Sequence, residues 1–166
     1  MSNRRSFTWR PLLVMAAAGF TALVVASGGA SAAGLCKKVS GKFSLQSMTG
    51  PACTSAVQIC ATGVYSGGIT GTSSFTGTSL TTTADTPTTG VILLTGDNRI
   101  DTGRGSLLTR DAIVLKTTDA GDFAEVDTVI GGTGELARAS GVLRAQGTFT
   151  AAAGGEGAYT GEVCAN

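Results

Sequence analysis

From Cys36 onward, polar and apolar positions tend to alternate, and no stretch sustains a period of three and four. Runs rich in Thr, Val, Ala and Gly follow one another, separated by turn signals, as in an all-β domain of short strands. Eight strands are predicted. The first is Cys36–Met48, ended by Thr49-Gly50-Pro51, and the second is Val57–Ser66. After the Gly67-Gly68 turn comes Ile69–Thr83, and then ADTPTTG (84–90), a loop by composition. Val91–Thr102 and Ser106–Thr117 are joined by Gly103-Arg104-Gly105, and Asp119-Ala120-Gly121 leads into Asp122–Ile130. Gly141–Ala151 and Ala153–Cys164 complete the set. Consecutive strands on short connections favour an up-and-down meander. Closure removes exposed edges, so the expected fold class is an all-β, eight-stranded antiparallel up-and-down barrel, with a β-sandwich as the alternative.

The stretch VIGGTGELARASG, Val129–Gly141, interrupts this rhythm. Gly132-Thr133-Gly134 followed by Ala137 matches a G-x-G-x-x-A phosphate-binding turn, which needs a helix N-terminus facing the anion. Only Glu135–Ser140 can be helical before Gly141 restarts a strand, and six residues make less than two turns at about 3.6 residues each. A parallel crossover needs a dozen residues or more. The motif therefore reads as structural. Gly131, Gly132, Gly134 and Gly141 permit a tight turn. A short helical turn near 135–140 points Leu136 and Ala139 into one end of the barrel.

The chain opens with MSNRRSFTWR and then Leu12–Ala26, an apolar run of fifteen residues, followed by Ala30-Ser31-Ala32. Basic start, short apolar core and small-residue exit predict a cleavable export signal over residues 1–32 and a single domain over 33–166. The apolar run is shorter than the ~20 residues a spanning helix needs, so no membrane span is expected in the mature chain. Arg4-Arg5-Ser6-Phe7 also fits a twin-arginine signal, the alternative to an ordinary basic start. Leu35 is large for the position before a lipid-modified cysteine, so Cys36 is read as unlipidated.

Composition then narrows the chemistry. Twelve Lys and Arg face eleven Asp and Glu. With Arg4, Arg5 and Arg10 in the export segment, the mature chain is slightly acidic, which disfavours nucleic acid as a partner. The four cysteines, Cys36, Cys53, Cys60 and Cys164, have no C-x₂-C spacing, so disulfides are expected rather than zinc. Three connectivities are possible. A closed barrel brings the last strand back beside the first, which favours Cys36–Cys164 and leaves Cys53–Cys60 to pin a loop.

GGTGELARASG resembles the GGTG-x-F-x-x-A-x-G signature of plant dirigent proteins, and allene oxide cyclases carry a similar glycine turn. The tail Gly157-Ala158-Tyr159-Thr160-Gly161-Glu162-Val163-Cys164 is similar to that of secreted bacterial barrels of this kind. The resemblance implies a calycin-like or dirigent-like eight-stranded barrel around a cavity. Leu136 stands where the plant families prefer phenylalanine, and none of their cavity or catalytic residues can be matched to this chain.

No histidine is present, which excludes Ser–His and Cys–His nucleophile pairs and histidine metal ligands. Acids are the concentrated functional groups: Asp97, Asp101, Asp111, Asp119, Asp122, Glu125 and Asp127. Asp111 alternates with Leu107, Thr109, Ile113 and Leu115, which places it on an apolar, inward face. It is the one candidate catalytic carboxyl, and Asp97 and Arg99 are expected to join it as cavity residues. Ala124, Val126, Thr128 and Ile130 form the more continuously apolar side of their strand, so Glu125 and Asp127 are expected to point outward. Asp97 to Asp101 lacks the spacing of a calcium loop. Neither a cofactor nor a metal is expected. The functional expectation is a secreted barrel that binds or positions a small apolar molecule without recognisable catalytic machinery. The alternative is a cell-surface structural protein with a filled barrel.

Overall fold

The structure, a computed structural model, describes residues 35–82, 90–118 and 120–165. The predicted export segment and nearly all of the predicted loop at 84–90 lie outside the described residues. Eight strands follow in order: β1 (Leu35–Met48), β2 (Cys60–Gly67), β3 (Gly71–Thr81), β4 (Val91–Thr102), β5 (Gly105–Lys116), β6 (Asp122–Gly132), β7 (Ser140–Thr150) and β8 (Gly154–Ala165). Each pairs antiparallel with the next, and β8 pairs with β1, so the sheet closes and leaves no free edge, as expected. No helix among the described residues is long and apolar enough to cross a membrane.

Two departures from the predicted strands have local causes. β2 starts at Cys60 rather than Val57. The Ser55 hydroxyl accepts from the backbone N–H groups of Val57 (3.1 Å) and Ile59 (3.3 Å) and donates to the Gly77 carbonyl (2.7 Å). Those amides are thus claimed by a side chain before a ladder can use them. Within the same loop, Gln58 adopts φ +58°. β6 runs on past Ile130 to Gly132, and its register against β5 slips between Leu108 and Thr109, leaving Ile130 as an extra residue. Gly131, at φ +135°, lies beside this bulge.

One end of the barrel is packed shut. Val39, Ile69, Ile100, Leu107, Val129, Leu143 and Tyr159 fill it. Leu136 and Ala139 close over them from the connection between β6 and β7. The helical segment is a single 3₁₀ turn, Gly134–Leu136, shorter than predicted. Gly134 (φ +59°) and Gly141 (φ +146°) occupy conformations that side chains resist. Gly132 acts differently: a Cβ there would collide with the Ser106 carbonyl.

Tyr159 ties this end across the barrel. Its hydroxyl accepts from the Ile69 N–H at 2.7 Å and lies 3.0 Å from the Ile69 carbonyl, which can take its proton. The turn between β2 and β3 is thereby anchored to β8. Cys36 and Cys164 are register partners on β1 and β8, and their disulfide staples that seam. The second disulfide, Cys53–Cys60, closes the loop leading into β2.

Candidate functional site: an open cavity over a buried acid cluster

The other half of the barrel is not filled. A cavity of about 400 Å³ opens at the end formed by the last residues of β1, β5 and β7 and the first of β2, β4 and β6. Its walls are Leu45, Ala61, Phe75, Leu94, Ile113, Leu115, Phe123 and Phe149, with Lys116 and Thr117 at the mouth. Gly96 helps shape the wall, because a Cβ there would run into the Phe75 ring. Polar groups gather where the cavity meets the packed half: Tyr65, Asn98 and Glu125.

Behind Glu125 lie two more carboxyls. Asp111 on β5 is the direct register partner of Asp127 on β6. Both are almost wholly buried, at 1% and 2% exposure. Carboxylate oxygens of Asp111, Glu125 and Asp127 lie within 4.8 Å of one another. The Thr109 hydroxyl donates to Asp111 Oδ1 at 2.6 Å. Like charges directly across a strand pair repel, and burial strips their hydration. Protons answer both problems. Burial lifts the Asp127 pKa to about 8, helped by the charge of Asp111. It also lifts Asp111 to about 6, against the hydrogen bonds from Thr109 and Glu125. Glu125 is pushed well above the usual carboxyl range by burial, then by the charges of Asp127 and Asp111. The Tyr65 hydroxyl rises for the same reasons, burial first and the three acids after it.

The structure corrects part of the expected site. Asp97 and Arg99 do not face the cavity: they are exposed, Asp97 paired with Arg110 at 3.3 Å and Arg99 with Asp101 at 2.8 Å. The inward face of β4 is instead Leu94, Asn98 and Ile100. This period of two is present in the sequence, so attention to the apolar residues rather than to the charges finds Asn98. Glu125 and Asp127 do not point outward either. They turn in with Phe123 and Val129, while Val126 and Ile130 are 46% and 52% exposed. The reason is packing volume. The Phe123 ring packs at a tilt against Phe43 with ring centroids 6.0 Å apart, and Val129 joins the packed core. Branched residues such as Val126 and Ile130 suit a strand's outer face without being buried. Asp111 is inward, beneath Glu125 and off the cavity wall.

The fold and site together define a closed antiparallel β-barrel shaped as a cup, stoppered at one end, with apolar walls and an acid-lined floor. No family model, curated protein or solved structure matches the chain.

Proposed function

We propose that this is an exported barrel of dirigent or allene-oxide-cyclase type that holds a small, mostly apolar molecule in the open half of its interior. The observation that carries this reading is the contrast between the two halves. Side chains pack one end solid, whereas the other keeps about 400 Å³ unfilled behind apolar walls. Ligand sites commonly occupy ~300–1,000 Å³, with a few polar groups among apolar walls. Empty apolar space costs stability when nothing fills it, and an occupant would recover the lost contacts. Two disulfides suit an oxidising compartment. The role is containment and orientation of the molecule.

The test is to purify the exported protein from its own culture, extract it with organic solvent and compare the extract by mass spectrometry with that of denatured protein. A stoichiometric small molecule supports the container reading. An empty extract from fully disulfide-bonded protein moves the weight to a surface-structural role.

A further inference from the structure

The cavity floor has an excess of hydrogen-bond acceptors. Asn98 Oδ1, Asp111 Oδ2 and Asp127 Oδ1 are buried without a partner. Asn98 is 8% exposed and lines the cavity; its side chain also hydrogen-bonds Asp111 and Tyr65, and its Oδ1 is left without a partner. An amide oxygen can only accept, so whatever satisfies Asn98 must bring a donor. Among the described residues, no ion pair involves Asp111, Glu125 or Asp127. The ion pairs Arg99–Asp101, Arg104–Glu135 and Arg110–Asp97 all lie on the exterior. The floor residues Tyr65, Asn98 and Glu125 thus carry no positive charge; the one cation among the lining residues is Lys116 at the mouth, and the walls between are mostly apolar.

We infer that the cavity takes an organic cation: a small molecule with an apolar body and a protonated amine head that donates to Glu125 and Asn98. Asp111 and Asp127 lie behind the head, whose positive charge favours loss of the protons these buried acids otherwise hold. The apolar body lies against Phe75, Leu94, Phe123 and Phe149. An ammonium group brings up to three donors and one charge, the complement of this floor. This inference rests on the container reading and adds the chemical class of the occupant.

The test uses three probes with one apolar body, titrated calorimetrically into the disulfide-bonded protein at pH 7: 2-phenylethylammonium, 2-phenylethanol and 3-phenylpropionate. The ammonium is expected to bind at least roughly tenfold more tightly than the alcohol, as charge-assisted hydrogen bonds allow, and the carboxylate weakest of all. Glu125→Gln should cut the preference for the ammonium over the alcohol to near parity, with circular dichroism and an unchanged unfolding midpoint at pH 4 reporting that the variant is folded. Asp127→Asn should reduce the preference in the same direction. Equal affinity for ammonium and alcohol in the native chain, or a preference that survives both substitutions, overturns the cation inference and leaves the container reading standing. Failure of the ammonium to bind overturns the cation inference, whereas the container reading is decided by the extract. Saturable calcium or manganese binding that the amine does not displace assigns the acids to a metal and overturns the inference as well.

Discussion

Three carboxyls in one barrel interior should make this protein more stable in acid than at neutral pH. The unfolded chain ionises its aspartates near 3.8, whereas the folded chain holds Asp111 to about 6 and Asp127 to about 8. Below the unfolded value both states carry the proton, and the cluster has no penalty. As pH rises, the unfolded chain gains by ionising while the folded one cannot. Stability therefore falls from about pH 4 upward and levels off only above the folded value. One pKa unit is worth ~1.4 kcal/mol, so the roughly 2-unit rise at Asp111 costs ~3 kcal/mol and the roughly 4-unit rise at Asp127 costs ~6 kcal/mol. The two sites share protons, so these figures overlap rather than add. A domain of this size has ~7–20 kcal/mol in total, so even the smaller figure is a large share. The perturbation is Asp127→Asn, which keeps the shape and an acceptor for Glu125 while removing the charge. Urea unfolding at pH 4, 6 and 8 with disulfides intact, at constant m, measures the effect. The expected result is a variant close to the parent at pH 4 and roughly 2–6 kcal/mol more stable at pH 8. A parent whose stability is flat or rising between pH 4 and 8 would refute the reasoning.

Other consequences follow from the packed end and the staples. Tyr159→Phe leaves the buried Ile69 N–H without its acceptor and should cost ~1–3 kcal/mol in the same unfolding assay. Gly134→Ala forces a side chain into φ +59°, 2.6 Å from the Arg104 carbonyl, and should cost at least ~1 kcal/mol, with Leu136 loosened as read by amide exchange. Removing Cys36–Cys164, which spans 128 residues, should destabilise more than removing Cys53–Cys60, which spans 7: about 4–5 against about 2 kcal/mol on the chain-entropy scale. Thermal unfolding of the two double-serine variants would rank them, and the reverse order would count against a disulfide that acts on the barrel seam.

Strand number, strand order and the turn at Gly131–Gly141 were legible in the sequence because they rest on local rules. Alternation, glycine at turns and short connections each act over a few residues, and closure follows once eight such strands must hide their edges. Cys36 and Cys164 were likewise readable, since closure alone brings the chain's ends together. The phase of the strands was legible only in part. Asp111 declared its face through Leu107 and Ile113, but Asp97 and Arg99 drew attention from Asn98, and Ala124, Val126 and Ile130 outweighed Phe123 in a simple count. Burial is not decided within one strand. It depends on which large side chains meet across the barrel, as Phe123 meets Phe43, and on whether a neighbouring strand brings Asp111 opposite Asp127. The acid cluster, its raised proton affinities and the cavity above it exist only once β2, β4, β5 and β6 share one interior, so tertiary packing alone decided them.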